Sequence, residues 1–482
     1  MSAPRRTAPE APSRRGWCPG LARPMPTGDG LIARLHPAGG ALSAARLRAI
    51  AEAARRFGNG HVDVTARANL QVRGVREDTR RGLAAFLEAA GLGDARRDGG
   101  PQRLTLTHPL AGLDPAERFD VGGLARAVEA RGLAVPGLPA KTLVVIEGER
   151  RRLGETGADI RVRACGPDRA AIGLATADGT DWIGIWDAAD IAAAVGAILA
   201  ALARTGRRRV RDLSPEERAG VSSPCGAEVR SSAADGLAGA PSPVRERVGV
   251  RDATSPDASY PSPGALRALD LSRTGEVAGA SARVVAPPPR DLGALPAGLV
   301  PLGLGGVAVA VEAPFGRCDA DGLDRLAEIA DTLARPEIRL SPSRGFVLAT
   351  PEARTAAGAL AALAGAGFIT DPGDPRRAVA ACPGAPACAS GSTPTLVDAA
   401  RLAEAFRPFA ARGLSAHVSG CAKGCARPGA ADLALVGADG LYGVVPGGAP
   451  GAEPAMQLTF EAALERVRRA DPALGLAHAF RT

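Results

Sequence analysis

A pattern that occurs twice in one chain constrains the fold more than any composition can. Residues 31–72 read "LIARLHPAGGALSAARLRAIAEAARRFGNGHVDVTARANLQV", and residues 307–348 read "VAVAVEAPFGRCDADGLDRLAEIADTLARPEIRLSPSRGFVL". The two align without a gap at an offset of 276. Leu47 falls on Leu323, Ile50 on Leu326, Ala54 on Ala330, Val64 on Leu340, Thr65 on Ser341 and Leu70 on Phe346. Each copy predicts an alternating strand, a turn, a helix with apolar spacing of three and four, and a second strand. Ser43 and Asp319 stand at equivalent places as helix N-caps. One such unit cannot hide its own sheet face, so the repeat predicts a pseudo-twofold molecule of duplicated halves.

Each copy is followed by a longer mixed segment. Residues 100–220 contain strand-like "KTLVVIEG" and "AAIGLATA" and a helix around 189–204. Residues 375–478 contain a helix near 395–407, strand-like "ADLALVGA" and a last helix near 459–469. The stretch 222–265 is rich in Ser, Pro, Gly and Ala and reads as a linker. The predicted organisation is a disordered start at 1–15, units at 16–95 and 96–221, the linker at 222–265, and units at 266–372 and 373–482. The fold class is α/β (α+β).

Aromatic residues are only 3% of the chain, so its cores are built from Ala, Val, Leu and Ile. Of 59 basic residues, only Lys141 and Lys423 are lysines. Arginine grips carboxylates with two parallel hydrogen bonds, and a net charge of +8 favours an anionic ligand. No basic block interleaved with aromatics points to nucleic acid. No uncharged apolar run reaches the roughly 18 residues of a membrane span. The basic, Pro-rich "MSAPRRTAPEAPSRR" lacks the apolar core of a signal peptide, so a cytoplasmic location with reduced thiols is expected.

Four of the eight cysteines form two close pairs. Cys382 and Cys388 lie in "ACPGAPACASG", and Cys421 and Cys425 in "SGCAKGCARPG". Such a set of thiolates binds zinc or an iron–sulfur cube. The five-residue loop is wide for one tetrahedral ion and suits a cube. Gly420 and Gly424 allow backbone amides to approach the sulfurs. Cys18, Cys165, Cys225 and Cys318 are unpaired and read as ordinary core or loop residues.

The segment after the first repeat helix alternates strictly. His61, Asp63, Thr65, Arg67, Asn69 and Gln71 fall on one face of a strand 61–72, and Val62, Val64, Ala66, Ala68, Leu70 and Val72 on the other. A row containing Arg, Asn and Gln reads as a hydrogen-bonding platform for a ligand, with a solvated sheet face as the plain alternative.

The cysteine pairs, the "VTARANLQ" strand and the duplicated halves together resemble the sulfite/nitrite reductase superfamily over about residues 16–475. The resemblance implies ferredoxin-like half-domains that form one continuous platform, each followed by an α/β domain. It implies that Cys382, Cys388, Cys421 and Cys425 hold a [4Fe–4S] cluster and that Cys425 faces a tetrapyrrole cavity. Two departures matter. The reductases carry two lysines separated by one residue around "LPAKTLVV", where this chain has Lys141 and Leu143. Between the last two cysteines they commonly have Pro-Asn-Gly, where this chain has Ala422-Lys423-Gly424. These features, with "RRGWCPGLARPMPTGDGL", are similar to the oxygen-using branch of the superfamily, the precorrin-3B synthases of aerobic cobalamin biosynthesis.

That resemblance implies hydroxylation of precorrin-3A at ring carbon C20, with closure of a γ-lactone, using O2. The implied cofactors are the cluster and a mononuclear iron, either non-haem or sirohaem ligated through Cys425. An external reductant such as NADH and an electron-donor reductase complete the set. The expected substrate contacts are Arg67, Asn69, Gln71, Arg103 and Lys141, with Arg339, Ser341 and Ser343 on the equivalent face of the second repeat. The alternative is a sirohaem-dependent assimilatory reductase of sulfite or nitrite.

Overall fold

The computed structural model describes residues 18–222 and 295–480, except Glu155 and Leu304. The expected disordered start, the expected linker beyond Ser222 and Cys225 lie outside the described residues.

Each repeat builds the same pieces. In the first, β1 (Met25–Thr27) and β2 (Gly30–Leu35) form a hairpin, and β3 (Ala41–Ser43) leads into the helix Ala44–Phe57. In the second, β11 (Gly298–Pro301) and β12 (Val307–Glu312) form the hairpin, and β13 (Arg317–Asp319) leads into the helix Ala320–Asp331. The helices begin where the caps predict. Ser43 accepts a hydrogen bond from the Arg46 amide at 3.3 Å, and Asp319 from the Gly322 amide at 2.7 Å. Leu47, Ile50 and Ala54 bury one helix face, and Leu323, Leu326 and Ala330 the other, in one shared core. The two helices pack side by side, and Arg48–Asp331 and Arg55–Asp321 ion pairs cross their rim.

The stretch 61–72 is not one strand. It is the hairpin of β4 (His61–Val64) and β5 (Leu70–Val75), and its counterpart is β14 (Arg335–Ser341) with β15 (Gly345–Thr350). The Thr65 amide donates to Asn69 O and the Ala68 amide to Thr65 O, which closes the turn with Ala68 at φ 51°. The alternation hides this turn for a simple reason. The closing partners Val64 and Leu70 are an even number of residues apart, so inside stays inside across the turn.

The halves interlock by exchanging strands. One sheet runs β1-β2-β5-β4-β13, and the other β11-β12-β15-β14-β3. Each half therefore completes its partner's sheet with a three-residue edge strand. The expected single platform is thus two five-stranded sheets locked together.

Two further sheets share one topology. The first comprises β6 (Thr105–Thr107), β7 (Val144–Glu147), β8 (Ile160–Ala164), β9 (Arg169–Ala175) and β10 (Thr180–Asp187). The second comprises β16 (Val379–Ala381), β17 (Ala416–Ser419), β18 (Ala431–Ala438), β19 (Leu441–Gly448) and β20 (Met456–Leu458). In each, the first three strands are parallel and the last two antiparallel. The equivalence extends to the loops. Cys382 follows β16 where His108 follows β6, and Cys421 and Cys425 lie between β17 and β18. Loops at the carboxyl ends of parallel strands are where such sheets bind ligands.

The helices expected near 189–204, 395–407 and 459–469 are Ala188–Thr205, Thr395–Ala410 and Phe460–Arg469. Ala188–Thr205 is the one described helix long and apolar enough to cross a membrane by length and composition. Its Ile191, Val195, Ile198 and Leu202 are fully buried against the sheet β6–β10.

Candidate functional site

The four paired cysteines come together on the loops after β16 and β17. Cys382 is buried, Cys388 and Cys421 are half-buried, and Cys425 is exposed. Burial raises the Cys421 thiol, and proximity to Cys388 and Cys382 raises it further. Cys425 is raised by burial, and by Cys382, Cys421 and Cys388. Cys421 and Cys425 thus lie in the field of the other cysteines, which disfavours their thiolates until cationic charge is bound. Yet no three His, Cys, Asp or Glu side chains among the described residues converge tightly enough to hold a single metal ion. A zinc–sulfur bond of about 2.3 Å would bring thiolates within roughly 4 Å of one another. The arrangement therefore fits a larger object better than one ion.

Backbone packing makes the nest. The Gly420 amide donates to Cys382 Sγ at 3.2 Å. A Cβ on Gly420 would lie 3.2 Å from the Cα atoms of Gly384 and Gly391 and 3.6 Å from Cys382 Sγ. Gly424 does not play the same part, because its amide donates to Cys421 O. The Lys423 amide bonds Cys421 and lowers its thiol. Thr395 Oγ1 donates a short hydrogen bond to the Cys382 carbonyl.

A buried ionic network seats this nest on the platform. Arg73, only 2% exposed, bonds Asp29 through two nitrogens at 3.0 and 2.9 Å and Asp63 at 3.0 Å. Its third contact is the carbonyl of Ala387, next to Cys388, at 2.7 Å. Arg317, on the strand donated by the other half, closes the network on Asp63 at 2.7 Å. The turn that carries Asp29 enters the cysteine loop so closely that a Cβ on Gly28 would lie 2.2 Å from Pro386 O.

A second group of arginines gathers around the turn of the β4–β5 hairpin. Arg67 donates to the Lys141 carbonyl at 3.2 Å. Burial lowers its guanidinium, as does Arg209, while Cys18 and Asp159 oppose the shift. Gln71 accepts from Arg34 at 3.0 and 2.6 Å. Asn69 is buried with its side-chain oxygen unpartnered. Leu143, where a reductase would carry its second lysine, is 3% exposed and packs in the apolar core.

Arg103 is placed differently from expectation. Its guanidinium donates to the carbonyls of Arg67 and Ala68, the latter at 2.9 Å, and burial lowers its pKa to about 10. Its hydrogen bonds go to the Arg67 turn, so it is a strut for that turn. The second-repeat residues do not join Arg67 either. Arg339 bonds Ala111 O at 3.0 Å and Glu337, while Ser341 and Ser343 bond each other at 2.8 Å. Among the described residues, no hydrogen bond or ion pair links them to Arg67, Gln71 or Lys141. Arg339 lines the small cavity that also holds Ala68 and Arg103 beside the Arg67 turn, whereas Ser343 lines the groove on the other half.

Comparison with known proteins agrees with this geometry. A family model for the nitrite/sulfite reductase ferredoxin-like half domain matches residues 23–90 and 303–366, one copy in each half. The solved structure of the Mycobacterium tuberculosis NirA protein superposes with a TM-score of 0.63, covering 94% of this chain and 85% of that one at 19% identity. A precorrin-3B synthase from a Sinorhizobium species is 31% identical over 453 residues, covering 92% of this chain and 85% of the relative. The chain belongs to the precorrin-3B synthase family. A ferredoxin–nitrite reductase from Synechococcus elongatus is more distant, at 26% identity over 88% of this chain and 79% of its own. Membership in the precorrin-3B synthase family makes the chain an enzyme of an oxidoreductase lineage on the sulfite/nitrite reductase fold.

Proposed function

We propose that this enzyme hydroxylates precorrin-3A at C20 with O2 and closes the γ-lactone from a neighbouring acetate. The observation that carries the reading is the half-buried Arg67, with Arg34 and Arg209 in its field, on the half whose Arg73 seats the four-thiol nest, and with Leu143 turned into the core. A tetrapyrrole ringed with carboxylates matches such a group of arginines. A small anion awaiting reduction would need the second cation that is missing.

Cys382, Cys388, Cys421 and Cys425 would hold a [4Fe–4S] cluster, and the cluster together with a mononuclear iron, non-haem or sirohaem, would supply the one-electron chemistry that a reaction with O2 requires. Electrons would enter from an external reductant such as NADH through an electron-donor reductase, in the reduced setting of the cytoplasm. The chain's own residues do the rest. Arg67 clamps a ring carboxylate through charge-assisted hydrogen bonds. Arg103 holds the Arg67 turn from below, so the clamp is set before substrate arrives. The Gly420 amide stabilises negative charge on Cys382 Sγ.

The test is anaerobically purified protein given precorrin-3A, a reductant and labelled O2. One labelled oxygen should appear as the C20 hydroxyl. Label arriving only from water, or efficient sulfite or nitrite reduction with precorrin-3A ignored, would replace this reading by a sirohaem reductase. Absorbance separates the two early, because sirohaem adds a strong Soret band and a cubane alone gives a broad shoulder.

A further inference from the structure

The pseudo-twofold provides an internal control for every seam in the molecule. In the first half the edge strand β6 lies against the platform at Gly39, Gly40 and Ala68. That seam is closed and leaves about 10 Å³. Leu106 of β6 and Val145 of β7, paired in register, fill it as members of the main apolar core.

The equivalent seam in the second half is open. There β16 lies against Phe315, Gly316 and Arg344, the residues 276 positions on from Gly39, Gly40 and Ala68, and the groove holds about 200 Å³. Ala380 stands where Leu106 stood, and His417, its register partner, stands where Val145 stood. Ala68 has become Arg344. The first seam also has arginines in its lining, Arg103 and Arg339, but with Leu106 beside them it closes to about 10 Å³, whereas the smaller Ala380, with His417 behind it and Arg344 at its edge, accompanies an open hollow.

Behind the groove lies a histidine without a partner, and, among the described residues, two of the groove's own arginines lack a carboxylate. His417 is 0% exposed, and neither ring nitrogen has a hydrogen-bond partner. Its side chain shares a sheet face with Ala380, which lines the groove, and with Ala434 on the other side. Burial, with Arg427 and Arg344 close by, lowers it to about 4, so the ring is neutral at pH 7 with one donor and one acceptor. Arg344 reaches the Ala426 carbonyl at 3.1 Å and Arg427 the Ala430 carbonyl at 3.1 Å. Neither is in an ion pair among the described residues, whereas Arg376 and Arg377 in the same groove are paired with Asp374 and Glu312. A buried ring with two unsatisfied nitrogens is costly unless something polar occupies the space beside it.

We propose that this groove is an anion site, in which Arg344, Arg427 and His417 bind a carboxylate or phosphate group, apart from the Arg67 face. The volume exceeds the roughly 30 Å³ share of one water several times over, so a small organic acid or inorganic phosphate fits.

The test is calorimetric titration of the full-length protein with inorganic phosphate and, separately, with succinate. It needs no turnover, so it stands or falls independently of the oxygenase reading. Saturable binding of either anion is expected, and the one that binds identifies the source of the group. Arg344→Ala should weaken it at least tenfold. The double variant Ala380→Leu/His417→Val restores the side chains of the closed seam. It should abolish binding while matching the parent's far-ultraviolet circular dichroism and thermal midpoint or exceeding the latter. Binding of neither anion overturns the proposal. So does binding that survives the double variant, since that marks an adventitious ion only. If the double variant does not fold, Arg344→Ala decides alone: undiminished binding overturns the site.

Discussion

The two halves share topology down to individual turns, yet their chemistry has separated. The first half carries Arg34, Arg67, Gln71 and Arg73 where the second carries Ala310, Ser343, Val347 and Ala349. The second half carries the cysteine nest on loops whose first-half counterparts carry His108 and the Arg150–Arg152 run. In the proposed reading the site is assembled across the pseudo-twofold: the substrate clamp comes from one copy and the thiols from the other. Arg73 is the physical link, since it leaves the first-half sheet and ends on the carbonyl beside Cys388. A duplicated scaffold lets one copy keep a group that the other discards, because both still fold the same backbone.

The largest effect should follow from breaking the thiol side of this division. Replacing Cys382, Cys388, Cys421 or Cys425 by Ala should remove the cluster's visible absorbance and its iron from anaerobic protein. Cys165→Ala, an exposed and unpaired thiol, should keep both. Stoichiometric zinc without iron would contradict the cluster.

Next comes the link itself. Arg73→Met leaves Asp29 and Asp63 with less compensation in a buried place, and removing one member of such a network costs about 3–5 kcal/mol. Chemical denaturation should show it. The counterpart position, Ala349, carries no such network, so Ala349→Gly should cost far less.

The clamp side should respond more mildly. Arg67→Ala should lower kcat/KM for precorrin-3A by roughly ten- to a hundredfold, the worth of about 1.5–3 kcal/mol of charge-assisted hydrogen bonding, with the cluster intact. Arg67→Lys restores charge without the planar pair of donors and should recover only part.

The most gradual effect is on pH. Burial first, then nearby arginines, lower His36 to about 3 and His108 and His417 to about 4, against about 6.5 when unfolded. The unfolded chain then binds more protons between about pH 6.5 and 4. The stability these rings contribute is complete above pH 6.5 and is lost as pH falls toward 4, by at most about 1.4 kcal/mol per pH unit for each ring. Thermal midpoints measured across that range should fall, and His417→Val should flatten the slope by one ring's share.

Much of this was legible in the sequence, and the misses have physical causes. Helix caps and apolar spacing are local signals, so Ser43, Asp319 and both repeat helices stood out. The cysteine pairs announced themselves by spacing. The hairpin at 65–69 did not, because an even separation of partners preserves the alternation that a strand would show. Arg34 and Arg73 were passed over because each sits in an apolar run and reads as its polar neighbour. Comparing the copies position by position would have found them: an arginine opposite an alanine in an otherwise matched frame is a group with a local task. The same comparison would have shown that Arg339, Ser341 and Ser343 do not repeat the Arg67 chemistry. Nothing in the sequence marks Arg103 as a strut, since its partners are backbone carbonyls.

The exchanged edge strands have a consequence for how this molecule comes into being. Neither five-stranded sheet can finish until residues about 250 to 300 positions apart have met: Arg317 pairs with Asp63, and Arg339 with Ala41. Contacts so distant along the chain slow folding, because loop closure precedes the reward. An N-terminal half emerging from the ribosome has one sheet short of an edge and one strand without a home. It must wait, exposed, for translation of its twin. Because both copies lie in one polypeptide, that meeting is an event within one molecule and not an encounter between two.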